Sequence, residues 1–135
     1  MWLDYVQNPK AISHLYKSVP PLDSVVVALM QVDPRGPTMR LFLDLQSYAD
    51  NPPARWEPGC NTVQIELDFI DVKSLKIEGF TVTPVLDFSI TSSASGLMVE
   101  AKGANMKLLF SCDTIYIQRT TGYINTVQPS RFPDQ

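Results

Sequence analysis

The chain has 135 residues, the length of a single domain with one hydrophobic core. Apolar residues make up 44% and charged residues 19%, which is typical of a folded globular protein and excludes a disordered chain. The formal net charge of -3 disfavours general nucleic-acid binding, and the longest wholly apolar run, 25–30, is too short to span a membrane.

The N-terminal segment carries the helical pattern of the chain. Asn8 is of a residue type that caps helices, and Pro9 suits the first helical position because its missing N–H would be unpaired there. The apolar residues that follow recur on one helix face: Ile12, Leu15, Tyr16 and Val19. The pattern predicts one short helix of about ten residues, ended by the prolines at 20 and 21 and covering an edge or face of the rest.

After residue 21 the apolar residues recur with a period of two. The run 25–30 is apolar on both faces, which predicts a strand covered on both sides, and the strict alternation in 63–69 predicts a strand with one buried face. Further alternating segments are joined by short turns, too short for the crossovers that parallel strands need. The sequence therefore predicts a mainly β (α+β) fold, an antiparallel curved sheet or sandwich of about eight strands with one short N-terminal helix.

A long irregular stretch at 46–61 interrupts this rhythm. Loops of this length are often functional or packed on themselves. Tyr48, Arg55 and Trp56 within it are residue types favoured at protein interfaces, so they are candidate partner-binding residues. The alternative for Trp56 is that its ring folds back onto the core.

The chain contains two cysteines, Cys60 and Cys112. Two are too few for a disulfide framework, and their spacing matches no zinc motif. The first residues show no basic patch followed by an apolar stretch, so we expect no secretory signal, a cytoplasmic protein and reduced thiols. Cys112 continues an apolar face and is expected to be buried.

The residues with catalytic potential form no recognisable reaction centre. His14, the single histidine, has no evident nucleophile or orienting partner in the sequence. Glu66 and Asp68 point to the same side of one predicted strand and could serve as an acid and a base, yet they alternate with apolar residues as a solvated strand face does. We therefore expect no catalytic residues, no cofactor and no metal.

Six segments carry a resemblance to a known family: YKSVPPL at 16–22, GPT at 36–38 leading into LFL at 41–43, PARW at 53–56, GCNTV at 59–63 with the strand to 69, IEGF at 77–80 and LFSC at 109–112. Through them the chain resembles the immunity protein 50 family of bacterial polymorphic-toxin systems over most of residues 2–120. The resemblance implies a non-enzymatic protein that binds and blocks a cognate toxin domain.

The resemblance assigns no individual residues, so the candidate interface comes from residue types alone: Tyr48, Arg55, Trp56, Glu66 and Asp68. We expect one β-rich domain over 1–126 and a flexible C-terminal tail over 127–135. Other functions stay open at this point. They are a β-rich ligand-binding or assembly module, for example for carbohydrate near Tyr116 and Tyr123, and a hydrolase that uses the two carboxylates. A homodimer through a free sheet edge is also open.

Overall fold

The computed structural model of the chain describes residues 1–126, so the tail predicted at 127–135 lies outside the described residues. A 3₁₀ turn covers Trp2–Tyr5 and one α-helix, α1, covers Lys10–Ser13. The strands are β1 (Val25–Asp33), β2 (Thr38–Asp44), β3 (Thr62–Ile70), β4 (Lys73–Glu78), β5 (Val85–Ser93), β6 (Gly96–Lys102), β7 (Lys107–Cys112) and β8 (Thr114–Tyr123).

The strands form one eight-stranded sheet in the order β4-β7-β6-β5-β1-β2-β3-β8. All neighbouring strands run antiparallel, which confirms the predicted mainly β fold. The half formed by β1, β2, β3 and β8 is joined to the half formed by β4, β7, β6 and β5 through only two residue pairs, Val25–Leu86 and Val26–Val85. This narrow junction lets the sheet fold over so that the two halves face each other.

The core lies between the two halves. Phe69 of β3 and Phe110 of β7 meet edge to face with ring centroids 5.1 Å apart, and neither side chain is exposed. Edge-to-face contact is the geometry that the quadrupoles of two aromatic rings favour. The alternating apolar residues of β3 are all fully buried, as the sequence predicts: Val63, Ile65, Leu67 and Phe69.

The helix is shorter than predicted, four residues rather than about ten. The predicted apolar stripe is buried, but Leu15, Tyr16 and Val19 follow the end of α1 and reach the core from irregular backbone. Asn8 does not cap the helix. Its Nδ2 donates to the Ile117 carbonyl oxygen at 2.8 Å, and its Oδ1 accepts from the Ile117 N–H at 2.9 Å. Hydrogen bonds to β8, rather than further helical turns, therefore hold the segment around Asn8 in position.

The N-terminal segment covers part of the outer edge of β8. Val6 forms a parallel bridge with Ile115, and the Gln7 N–H donates to the Ile115 carbonyl oxygen at 2.9 Å. Trp2 Nε1 donates to the Pro20 carbonyl oxygen at 3.0 Å, which holds the start of the chain against the proline segment at 20–21. No helix within residues 1–126 has the length and apolar character needed to cross a membrane.

The prediction that β1 is covered on both faces is correct only for its first part. Val25, Val26 and Val27 are buried, whereas Ala28 and Leu29 are exposed. The strand has an irregular register between Val27 and Leu29, and β5 pairs with it only at its first two residues. Because β5 begins at Val85, no strand of residues 1–126 pairs with this edge of β1 beyond its first residues, and the 79–84 loop lies across a groove from it.

Candidate functional site

The half formed by β1, β2, β3 and β8 turns one face away from the core, and we call it the open face. Directly paired residues in antiparallel strands project on the same side, so the register defines its members. They include Leu29, Gln31, Arg40, Phe42, Asp44, Gln64, Glu66, Asp68, Tyr116, Arg119 and Thr121. Along β2 and β3 they alternate with residues buried in the core, whereas on the second part of β1 the alternating Met30 is half-buried and Val32 is exposed.

An ion pair lies on the open face between β2 and β3. Arg40 Nε donates to Asp68 Oδ1 at 2.6 Å, and Arg40 Nη2 donates to Asp68 Oδ2 at 2.9 Å. The Asp68 side chain is 6% exposed and that of Arg40 is 38% exposed. The hydrogen bond to Asp68 raises the pKa of Arg40 above its ordinary value. Asp68, predicted as a contact residue, therefore lies beneath Arg40, and the accessible group is the guanidinium.

Aromatic and charged side chains surround this pair. Glu66 is half-buried between Phe42 on β2 and Arg119 on β8. Tyr116 lies opposite Asp68 on β8 and is 40% exposed. The sequence predicted the face of Glu66 from alternation, but it did not show that Arg40 and Arg119 would flank the two carboxylates. Finding these arginines requires knowing which residues lie opposite each other on paired strands, and a single sequence does not give that register.

A buried carboxylate closes one end of the open face. Asp44 is 4% exposed and accepts hydrogen bonds from Gln64 Nε2 at 2.9 Å and from the Tyr123 hydroxyl at 2.6 Å. These contacts join β2, β3 and β8 near the point where the 46–61 loop leaves the sheet. Because its oxygens are satisfied by neighbouring strands, Asp44 serves the packing of this end of the sheet.

The 46–61 loop packs back toward the core. The rings of Tyr48 and Trp56 have centroids 6.1 Å apart and a tilt of 49°. The Trp56 ring lies against Gly122, where a Cβ would overlap it, and Gly122 pairs with the fully buried Val63. Both aromatic side chains are half-buried against the core, as the alternative interpretation of Trp56 proposed. Desolvation, with Cys60 beside it, raises the pKa of Tyr48.

The five predicted interface residues therefore occupy two places. Glu66 and Asp68 lie on the open face, whereas Tyr48 and Trp56 lie on the core side of the sheet. Arg55 is exposed at the rim of a shallow concavity of about 340 Å³ beside Trp56. The structure does not bring the two groups together.

The structure assembles no catalytic arrangement from the candidates in the sequence. His14 is exposed, with Nδ1 2.9 Å from the Lys10 carbonyl oxygen. Asp68 is engaged with Arg40, so Glu66 and Asp68 do not form a pair of free carboxyl groups. Within residues 1–126 no group of three or more His, Cys, Asp and Glu side chains could hold a metal ion.

Both cysteines are free thiols in different surroundings. Cys112 is buried, as expected, and desolvation, with Asp113 adding a smaller effect, raises its pKa to about 11. Cys60 is half-buried beside Tyr48. Burial also raises the pKa of Tyr16, whose hydroxyl donates to the Ser47 carbonyl oxygen at 2.7 Å.

Sequence reasoning missed the loop at 79–84, between β4 and β5. Phe80 is 77% exposed and Val82 is 87% exposed, more than the other large apolar side chains within residues 1–126. The signal was an apolar pair between Gly79 and Pro84, two residues that interrupt strands.

Comparison with known proteins identifies the family. The model of the family described as immunity protein 50 matches residues 8–123, which include α1 and all eight strands of the described chain. No curated protein and no solved structure matches the chain. Because the match covers most of the chain, this protein belongs to the immunity protein 50 family.

Proposed function

We propose that the chain is an immunity protein of a polymorphic-toxin system, acting in the cytoplasm by binding one cognate toxin domain and blocking its active site or substrate path. The observation that carries the proposal is the family match over residues 8–123. In this function the chain contributes shape and binding energy, and no chemical step is assigned to its side chains.

The open face is the surface that best fits such binding. It presents Tyr116, Arg40, Phe42 and Leu29, and aromatic and arginine side chains dominate the binding energy at protein interfaces. These side chains stand on strands that are hydrogen-bonded to their neighbours in the sheet, with register shifts only at Val27/Leu29 and Glu66/Leu67. A rigid platform loses little conformational entropy on binding, so more of the contact energy appears as affinity.

The ion pair prepares Arg40 for recognition. Asp68 holds both Nε and Nη2 of the guanidinium, so the orientation of Arg40 is set before a partner arrives. Its exposed side remains available to a carbonyl or carboxylate of the toxin. Glu66 and Arg119, of opposite charge on adjacent strands, would favour one orientation of the partner over others.

The 46–61 loop is a second candidate surface for the same function. Tyr48 and Trp56 pack against each other and against the core. Arg55 is therefore the exposed candidate contact residue of this loop. A single exposed arginine offers less than the clustered aromatic, apolar and charged side chains of the open face.

The test is direct binding to the toxin-domain product of the neighbouring gene, measured by titration calorimetry. We expect binding by the unmodified chain and at least about tenfold weaker binding after Tyr116→Ala. Met98→Ala is the matched control, because Met98 is 39% exposed on the other half of the sheet and should leave the affinity unchanged.

Two results would change the proposal. Absence of binding at micromolar concentration would contradict the immunity function. Binding that is weakened by Arg55→Ala and unaffected by Tyr116→Ala would move the interface from the open face to the 46–61 loop.

A further inference from the structure

The second part of β1 has a free edge inside the sheet. Within residues 1–126, β5 pairs with β1 only at Val25 and Val26, and the Pro84 carbonyl oxygen accepts from the Val27 N–H at 2.9 Å. Ala28 lies at the register shift, and from Leu29 to Asp33 the strand is still paired with β2 on its other side. This leaves an extended edge of about 20 Å, at roughly 3.3 Å per residue, whose outward backbone groups face no strand of the described chain.

The 79–84 loop forms the other wall of a groove along this edge. The groove has a volume of about 220 Å³, with Leu29 and Met30 on the strand side and Phe80 on the loop side. Leu29 is 46% exposed and Phe80 77%, and Val82, which belongs to the same loop but does not line the groove, is 87% exposed. A strand edge and an apolar wall therefore lie side by side, and contiguous exposed apolar side chains of this kind mark interaction sites.

The shape of the loop is fixed at its two ends. Gly79 has a φ of +70°, and a Cβ there would overlap the backbone oxygen of Asn105. Thr83 has a φ of +40°, a region that β-branched residues rarely occupy. A loop held by such constraints keeps Phe80 and Val82 turned outward, although their exposure to water is unfavourable.

We infer that an extended apolar segment of the toxin adds to the sheet as a strand along the free edge of β1. The inference rests on the proposed function and extends its interface beyond the open face. Free strand edges bind extended peptides through backbone hydrogen bonds, and alternate side chains give specificity. Here one set of side chains would contact Phe80 and Met30 across the groove, and the other would lie beside Leu29, which belongs to the open face.

The groove fits a toxin segment better than a second copy of this chain. The groove is continuous with the open face, because Leu29 lines the groove and also lies opposite Phe42 on the open face, and this continuity favours a segment of the partner that the open face binds. The outer edge strand β4 shows how the chain protects an edge from pairing. It carries Lys73 and Lys76, a positive φ at Ser74 and a register shift between the two lysines. The second part of β1 has an irregularity only at its start.

Hydrogen exchange of the chain with and without the toxin domain tests the added strand. We expect exchange of those amides at 28–33 that point away from β2 to slow by at least about tenfold in the complex, because a new strand protects the edge. The amides at 73–78 on β4 should exchange at the same rate in both samples. A surface contact without strand addition would not protect the β1 backbone in this way.

The double substitution Phe80→Asp with Val82→Asp tests the apolar wall. Both side chains are exposed, so the variant should fold, and we expect toxin binding at least about tenfold weaker. Met98→Asp, an equivalent change on the far half of the sheet, should bind as the unmodified chain does. Unfolding midpoints of both variants verify that they fold.

The outcomes separate this inference from the function on which it rests. Unchanged affinity in the double variant, with unchanged exchange at 28–33, overturns the added strand and leaves the immunity function intact. Absence of toxin binding by the unmodified chain overturns both. If the chain alone is a dimer by light scattering, and the double variant is a monomer of unchanged toxin affinity, the occupant is a second copy and the inference is wrong.

Discussion

Arg40 and Asp68 form the contact that orders the centre of the open face. Arg40→Ala leaves the Asp68 carboxylate, whose side chain is 6% exposed, without its guanidinium partner. We expect a loss of about 1–3 kcal/mol in the free energy of unfolding, since a desolvated charge loses two hydrogen bonds. Urea unfolding followed by circular dichroism measures it.

The pair formed by Arg35 and Asp33 provides the matched control. Arg35 Nη2 lies 2.9 Å from Asp33 Oδ2, but the two side chains are 90% and 45% exposed. Because exposed ion pairs contribute little to stability, the loss in Arg35→Ala should be clearly smaller than the loss in Arg40→Ala. Equal losses in the two variants would show that the burial of Asp68 does not determine the cost.

Cys112 predicts how stability changes in alkali. Its pKa is about 11 in the folded protein, above that of an ordinary thiol, so the unfolded chain releases this proton first as the pH rises. Stability present at lower pH is then lost between about pH 9 and 11, by roughly 1–3 kcal/mol. The pKa of Tyr16 is also raised by burial, so stability is lost further once the pH exceeds the ordinary pKa of a tyrosine, about 10.

Urea unfolding at about pH 8 and pH 10.5 measures this loss. In Cys112→Val, which has no thiol to ionise, the decrease between the two pH values should be smaller than in the unmodified chain. An unchanged decrease would assign the alkaline loss to other groups.

Asp68 also shows how much of one residue's surroundings can be predicted from the sequence. Alternation with Leu67 and Phe69 predicted a solvated face for Asp68; its side chain does lie opposite Arg40, away from the core, but the prediction of solvent exposure is wrong, because Asp68 is buried. Its burial depends on Arg40 lying directly opposite on β2. That register is set by the pairing of two strands, which no local pattern contains.

Among the larger elements, the 46–61 loop depends on the space above Gly122. A Cβ at Gly122 would overlap the six-membered ring of Trp56. We expect Gly122→Ala to displace this ring, to destabilise the fold by about 1–3 kcal/mol and to change the tryptophan fluorescence. Urea unfolding and emission spectra measure the two effects.

Gly36→Ala is the control for this change. A Cβ at Gly36 would meet nothing within 4 Å, and the residue does not have a positive φ. This variant should stay within about 0.5 kcal/mol of the unmodified chain and keep its emission spectrum. Unchanged fluorescence in Gly122→Ala would show that Trp56 does not rest on β8.

The elements were predictable where they depend on local pattern. Period-two alternation located the strands, and the irregular composition of 46–61 located the loop. The helix was predicted too long because burial of Leu15, Tyr16 and Val19 follows the helical spacing while the backbone does not. The run 25–30 was predicted as covered because apolar runs are typical of covered strands, although β5 pairs only with Val25 and Val26.

Over the whole molecule, short turns predicted an antiparallel sheet, and the sheet is antiparallel throughout the described chain. The narrow junction between β1 and β5 was not predictable, because it depends on where two distant strands separate. That junction gives the molecule both its folded shape and its internal free edge. The candidate interface was therefore only partly predictable: alternation indicated the carboxylates of the open face, but it did not indicate the arginines, Tyr116 or the 79–84 loop.

The decisive measurement is a titration of the purified toxin-domain product of the neighbouring gene with this chain, while the toxin's own reaction is followed. A stoichiometric inhibitor predicts that activity falls linearly and ends at one chain per toxin domain. Loss of activity at far less than one equivalent, growing with time, would indicate turnover by this chain and contradict a binding function. Full toxin activity at excess chain would contradict it as well.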